Sequence, residues 1–336
     1  LEESMQEQDL APRNGSGGDT SAAPHALVSI VCPCYNEEAM LPLYYDAMQK
    51  VVFARLPEYD FELIFINDGS KDRTLPILRE LANNDARIKY ISFSRNFGKE
   101  AAMYAGLKHA KGDFVCVMDC DLQDPPEMIE SMLERLTQDI CDCVATRRVT
   151  RKGEPKIRSA FARAFYRIIN RISDTEFVDG ARDFRMMRRC VVDAVLELGE
   201  YHRFSKGIFM WVGFDTVWLE YENIERAAGE TKWSFWKLMK YAIEGIISFS
   251  TAPLQIATAA GCVISALALL YMVIRVIIAM IWGNPVAGYP SLLAIMLTLG
   301  GFVLLALGII GEYVARTYMQ TKQRPIYIQK ESTIPK

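Results

Sequence analysis

Five times between residues 27 and 146 a short apolar run alternates with a more polar, helix-patterned stretch, and that alternation leaves the chain few folds to choose from. The runs are Leu27–Cys32, Phe61–Ile66, Ile88–Phe93, Phe114–Met118 and Cys141–Thr146. They are rich in β-branched and aromatic residues and bounded by Gly, Pro, Asn and Asp, the pattern of buried strands. Between them lie amphipathic stretches reaching about Phe53 and Asn83, then Ala101–Ala110 and Pro126–Leu136. A strand that returns to its sheet through a helix runs parallel to its predecessor, so the expectation is an α/β fold with a mostly parallel sheet flanked by helices. In such sheets ligands bind beyond the carboxyl ends of the strands.

Polar clusters fall at those ends: Asn36 and Glu37 after the first strand, Asp68 after the second, and Arg95, Asn96 and Lys99 after the third. Asp119 and Asp121 follow the fourth, with Gln123 close behind. Crowded hard oxygen ligands suit Mg²⁺ or Mn²⁺, which bind through one or two carboxylates and substrate phosphates. An isolated Asp-x-Asp reads more readily as an acidic turn, and the company of the other clusters favours the metal. No G-x-G-x-x-G follows the first strand, which disfavours a dinucleotide-binding Rossmann site. The formal net charge is only −3, so nothing points to nucleic acid as a partner. The eight cysteines form no paired C-x-x-C blocks, and most lie in apolar runs where a free thiol behaves as a small hydrophobe. That usage suits a reduced, cytosol-facing body.

Residues 1–25 are polar and rich in Gly and Ser, with no apolar signal region, and read as a disordered tail. At the other end, Leu254–Ile281 and Ser291–Ile310 exceed the roughly 20 apolar residues that cross a bilayer. Arg275 alone interrupts the first and can snorkel from a tilted span. The turn Trp282–Pro290 has no Lys or Arg, while Lys232, Lys237 and Lys240 precede the pair and Arg316, Lys322 and Arg324 follow it. The positive-inside rule then places the body and both termini of this multi-pass chain in the cytoplasm. Residues 155–173 carry Ile157, Phe161, Phe165, Ile168, Ile169 and Ile172 on one helical arc and Lys156, Arg163, Arg167 and Arg171 opposite. That is either an interfacial helix or one packed on the domain core. Arg158 falls inside its apolar arc, which favours a specific partner such as a phosphate. The segment Asp179–Arg185 reads as a charged stretch before a helix over Met186–Leu198, Thr216–Tyr221 as a strand, and 233–250 as a second interfacial helix.

A metal-and-phosphate site beside a membrane platform suits transfer from a nucleotide-linked donor to a lipid phosphate. Such an acceptor, with a second pKa of about 6, is largely dianionic at neutral pH and relaxes the need for a general base. Asp68 is placed to accept a hydrogen bond from the base's imide N–H. Asp183 either orients the nucleophile, or stabilises positive charge at the reacting carbon, or pairs with Arg182 or Arg185.

The motifs Pro33-x-Tyr35-Asn36-Glu37, Asn67-Asp68-Gly69-Ser70-x-Asp72, Ser94-Arg95-Asn96-Phe97-Gly98-Lys99-Glu100 and Asp119-x-Asp121-Leu122-Gln123-Asp124-Pro125-Pro126-Glu127 resemble those of family-2 glycosyltransferases of the dolichyl-phosphate mannose synthase type. With two C-terminal spans, residues 27–325 as a whole resemble bacterial polyisoprenyl-phosphate glycosyltransferases. The resemblance implies a GT-A fold, a UDP-sugar donor (glucose or N-acetylglucosamine), Mg²⁺ or Mn²⁺, inverting transfer to undecaprenyl phosphate, and a homotetramer. It implies nucleotide-sugar contacts at Pro33, Tyr35, Asn36, Glu37, Ile66, Asp68, Lys99 and Asp119, and a metal and diphosphate site at Asp119, Asp121 and Gln123. Asp183, with Asp121, takes the catalytic place. Arg226 and Lys232 belong to a mobile loop over the phosphates, and Arg147, Arg158 and Lys206 complete a cationic set for the lipid phosphate. Cys120 stands where alanine is usual, and Thr231 where serine is usual. The division expected is a tail over 1–25, a catalytic domain over 26–232, the second interfacial helix over 233–250, a two-helix transmembrane hairpin over 251–315 and a C-terminal tail over 316–336. Transfer to another lipid, or an inactive membrane scaffold, remain alternatives; a processive synthase is disfavoured because Gln-x-x-Arg-Trp is absent.

Overall fold

The structure, a computed structural model, describes residues 25–149, 166–167, 169–173, 175, 177–221, 246–248, 250–282 and 289–334. The tail over 1–24, most of the two interfacial segments, Arg158 and the loop with Arg226 and Lys232 lie outside the described residues.

The five expected strands form as β1 (Leu27–Cys34), β2 (Asp60–Asn67), β3 (Ile88–Phe93), β4 (Phe114–Val117) and β5 (Cys143–Arg148), followed by β6 (Ala181–Arg188), β7 (Thr216–Tyr221) and β8 (Gln329–Ser332). They make one sheet in the order β7-β5-β6-β4-β1-β2-β3-β8. Its centre, β4-β1-β2-β3, is parallel, as the helical crossovers require. The central strands are buried on both faces, which explains why they read as continuous apolar runs instead of alternating ones.

Helices cover both faces. On one side, α1 (Leu41–Ala47) runs on through a wider turn, Met48–Phe53, and sets Tyr44, Met48 and Val52 on the sheet at four-residue spacing. Beside it pack α2 (Thr74–Asn84), through Leu78, and α4 (Met128–Thr137), through Ile129, Met132, Leu133 and Leu136. On the other side α3 (Lys99–His109) is buried almost all round, between the sheet and α5 (Arg189–Glu197). Gly106 permits that approach, since a Cβ there would stand 2.1 Å from Val31 Cγ1. Removing a large side chain from either layer, such as Ile30→Ala, costs about 2–5 kcal/mol through lost burial and the cavity left behind.

Two expectations are corrected. Met186 and Met187 do not begin a helix: they belong to β6, which enters antiparallel between β4 and β5, and the helix starts at Arg189. Arg and Met favour helix in isolation, but the slot between two strands offers hydrogen bonds on both edges, and tertiary pairing overrides propensity. Nor do residues 316–336 hang as a tail. A helix reaches Thr321, and β8 pairs antiparallel with β3, closing that edge of the sheet.

The described apolar helices α7 (Ala252–Trp282) and α8 (Tyr289–Thr321) contain 31 and 33 residues, about 46 and 50 Å at 1.5 Å per residue. The candidate membrane windows, Ala252–Tyr271 and Thr298–Thr321, are not buried against the rest of the chain. Apolar side chains such as Leu267, Met280 and Leu304 face outward, which an aqueous surface does not tolerate at this extent. The chain is membrane-associated through these helices.

Candidate active site

Strands β4, β1, β2 and β3 end at one edge of the sheet, and β6 begins there. The β4–β6 ladder sets Val117 opposite Arg185, so two residues further on Asp119 and Asp183 reach the same level. Lys99, the first residue of α3, bridges them: its Nζ lies 2.8 Å from Asp119 Oδ2 and 2.5 Å from Asp183 Oδ2. Burial opposes the lysine's charge, but the two carboxylates outweigh it and raise its pKa. Burial likewise opposes ionisation of Asp183, and Lys99, Lys206 and Arg185 overcome it, holding the carboxyl well below the usual carboxylate range. The partner of Asp183 is thus Lys99. Arg182 pairs with Asp124 instead, and Arg185 stacks over the Phe209 ring at 4.0 Å.

The first two loops at this edge are latched together. Asn36, in the left-handed region at φ 53°, donates its N–H to Ser70 Oγ at 2.9 Å and accepts the Lys71 N–H on Oδ1 at 2.9 Å. Glu37 N–H reaches Thr74 Oγ1 and Glu38 N–H reaches Asp72 Oδ2. Asn67 Oδ1 caps the turn by accepting the Ser70 N–H. Gly69, at φ 64°, is required there because a Cβ would lie 2.4 Å from the Arg95 carbonyl carbon. Asp68 is 4% exposed, and its two oxygens accept the N–H groups of Phe97 at 2.6 Å and Gly98 at 2.9 Å. Burial raises its pKa despite those bonds. Asp68 therefore anchors the loop that delivers Lys99.

After β4, the turn Asp119–Gln123 stays partly open. Leu122 is left-handed at φ 54°, and Asp121 Oδ1 accepts the Gln123 N–H at 3.2 Å. A strained non-glycine turn is the kind of backbone that surrounding structure must hold. The family model for glycosyl transferase family 2 matches residues 29–196. The chain belongs to that family. A prophage bactoprenol glucosyl transferase homolog of Escherichia coli is 44% identical over 303 residues, covering 90% of this chain and 98% of the relative. An SfII prophage-derived bactoprenol glucosyl transferase of Shigella flexneri is 43% identical over 305 residues, covering 91% and 98%. Among solved structures, a mannosyltransferase of Pyrobaculum calidifontis in complex with GDP-Man and Mn²⁺ shares 14% identity at a TM-score of 0.43, over 83% of this chain and 86% of that one.

The glycosyltransferase's remaining expected site residues spread unevenly. Tyr35 and Glu37 are half-buried at the open edge beside Pro33, whereas Ile66 is fully buried and packs its side chain among the residues under α3. Lys206, on α6 (Ser205–Trp211), donates from Nζ to the Ala181 carbonyl at 2.8 Å, next to the Asp183 strand. Arg147 pairs with Glu220 on β7.

Several residues at this site escaped sequence reasoning. Asp124, 1% exposed, accepts from Arg182 Nε at 3.1 Å and from the Tyr221 hydroxyl, tying the metal-candidate turn to β6 and β7. Its place inside the Asp-x-Asp-Leu-Gln-Asp run is a signal, but Tyr221 offers none, because the contact exists only once β7 joins the sheet. Glu100 accepts from the Ser205 N–H at 3.0 Å and from the Ser205 hydroxyl, which fixes α6 against α3. Burial, with the Asp183 charge nearby, pushes its carboxyl up to about 7.

Proposed function

We propose that this glycosyltransferase moves glucose from UDP-glucose to a polyprenyl phosphate, undecaprenyl phosphate in a bacterium, with inversion at the anomeric carbon. The observation that carries the reading is the convergence of Asp119 and Asp183 on Lys99 at the ligand-binding edge of a chain with two membrane-length helices. The naming of its relatives as bactoprenol glucosyl transferases supports both the acceptor and the sugar.

In this reading one bond forms, from a phosphate oxygen of the lipid to C1, and one breaks, from C1 to the β-phosphate oxygen of UDP. The acceptor is dianionic at neutral pH, so no proton has to move. That suits Asp183, because a carboxyl held far below neutral is a poor proton acceptor and a good fixed charge. Its carboxylate would stabilise positive charge at C1, and Lys99 keeps it ionised and aimed. Asp121 and Gln123, on the partly open turn, offer the oxygen donors that would hold Mg²⁺ or Mn²⁺ together with diphosphate oxygens, and Asp119 shares its charge between that set and Lys99. Such an ion supplies charge neutralisation on the leaving diphosphate. Lys206 and Arg147, with Arg158, Arg226 and Lys232, are the cations assigned to the acceptor phosphate and the closing loop. The pattern of Lys and Arg around α7 and α8 supports a catalytic body on the cytoplasmic face.

The test is transfer by the purified full chain to undecaprenyl phosphate with Mn²⁺ or Mg²⁺, with labelled UDP-glucose, UDP-N-acetylglucosamine, UDP-galactose and GDP-mannose side by side. Label entering the lipid phase from UDP-glucose and stopping with chelator is the expected result. Label from UDP-N-acetylglucosamine alone would correct the sugar, and label from none would overturn the reading. Asp183→Asn should lower kcat by about 10²–10³-fold with UDP binding retained, the scale of removing one electrostatic stabiliser. Asp121→Ala should abolish transfer in a chain that still folds.

A further inference from the structure

The cysteines look scattered in the sequence, but the fold gathers three of them. Cys32 and Cys34 are two apart on β1 and therefore share a face, and Cys120 follows β4, the parallel neighbour of β1. Their sulfurs all lie within 4.8 Å of one another, and the residues are 0, 2 and 2% exposed. A second, independent feature marks the same pocket. Tyr44 of α1 is fully buried and its hydroxyl has no hydrogen-bond partner among the described residues, although it lies within electrostatic reach of the Cys32, Cys116, Cys120 and Cys34 thiols. An unsatisfied buried hydroxyl is costly, which makes a core that keeps one beside three convergent thiols poor packing but a good polar nest.

We propose that Cys32, Cys34 and Cys120 form a binding site for one soft metal ion of the Cu(I) class, separate from the hard divalent ion of the transfer reaction. Thiolates select soft ions, and carboxylates and amides select hard ones, so the two sites do not compete for the same metal. Zinc normally takes four ligands in a tetrahedron, whereas these sulfurs are a set of three, which suits the trigonal coordination open to Cu(I). A metal–sulfur bond of about 2.3 Å places three trigonal sulfurs about 4 Å apart. The nest, with its sulfurs within 4.8 Å of one another, needs shifts of less than about 1 Å to close on the ion. The turn Asp121–Gln123, which follows Cys120 directly, is partly exposed. Because Cys120 lies between Asp119 and Asp121, and Cys34 directly precedes Tyr35, an ion here draws on the backbone of both the metal-candidate turn and the first loop.

The experiment uses the full chain in detergent, without oxygen and with Cys190→Ser and Cys262→Ser to remove the exposed thiols. Cu(I) is delivered from a chromophoric competing chelator, and bound copper is read together with the near-ultraviolet sulfur-to-copper absorption. About one Cu(I) per chain is expected, with affinity at least about tenfold lower after Cys120→Ala and after Cys34→Ala. Cys141→Ala, a buried thiol outside the nest, should bind as its parent does, which separates loss of a ligand from loss of the fold. Unchanged binding by Cys120→Ala, equal loss in Cys141→Ala, or no absorption at one equivalent would each overturn the proposal. The readout is metal binding rather than sugar transfer, so this result and the transferase result stand or fall separately.

Discussion

Asp124 and Glu100 carry no obvious chemistry, yet each decides where a charged group of the site stands. Asp124→Ala leaves the Arg182 guanidinium without its carboxylate and the Tyr221 hydroxyl without its acceptor, both in a mostly buried setting. Removing one partner of a buried pair costs about 3–5 kcal/mol, and the partial exposure of Arg182 argues for the lower end. A thermal melt of the detergent-solubilised variant should show a lower Tm, with transfer lost as the turn slackens. Glu100 makes a pH prediction. Its carboxyl titrates at 4.5 in a model peptide and at about 7 in the fold, because burial and the Asp183 charge outweigh the Ser205 bonds. Between those values the folded chain holds a proton that the unfolded chain has released, so this group's contribution to stability falls as pH rises from 4.5 to about 7. Melts across that window should slope downward in the parent and flatten in Glu100→Gln; an unchanged slope would mean that Glu100 is not the group titrating.

At the scale of elements, β6 and β8 are what the local pattern concealed. β6 has the composition of a helix and becomes a strand because β4 and β5 leave a slot whose backbone groups need partners. β8 comes from beyond both apolar helices and seals the β3 edge. Ser94 N–H donates to the Ile328 carbonyl at 2.9 Å, Tyr327 stacks on Phe93 at 4.9 Å, and Glu331 accepts from Arg79 and Tyr90. Ending the chain after Pro325 removes this cover and exposes the β3 edge to pairing with other chains. The truncated protein should melt several degrees lower and shift towards high molecular mass on size exclusion, while a truncation that behaves like the full chain would show β8 to be dispensable.

For the whole molecule, the governing arrangement is an α/β sheet domain tied to two apolar helices. Tyr313 of α8 donates to the Ser250 carbonyl at 2.8 Å, and Arg316 reaches Ser248 Oγ at 2.8 Å, so the second long helix is tied to the segment that leads into the first. Gln320 accepts the Tyr201 N–H and donates to the Gly199 carbonyl, tying the same helix to the loop between α5 and α6. The orientation is testable in intact cells. With Cys190 and Cys262 replaced by serine, Asn284→Cys, between the two helices in sequence, should react with a membrane-impermeant maleimide from outside. Gln323→Cys should react only after permeabilisation. The reverse labelling would invert the proposed topology.

Local sequence chemistry was enough for the parallel centre of the sheet, the loops at its carboxyl edge and the two apolar helices. Each of these follows from short-range pattern: β-branched runs closed by turn residues, the turn glycine at Gly69, and apolar stretches too long for a soluble core. Asp119, Asp121 and Asp183 stood out as acidic residues within single segments, and the fold brings Asp119 and Asp183 to Lys99. Only the tertiary structure decided that Lys99 joins Asp119 to Asp183, that Tyr221 locks Asp124, that three scattered thiols converge, and that the C-terminus returns as a strand. Those outcomes depend on which strand lies beside which, and strand order is set by long-range pairing and burial over the whole sheet, a contest of free energies that no single segment encodes.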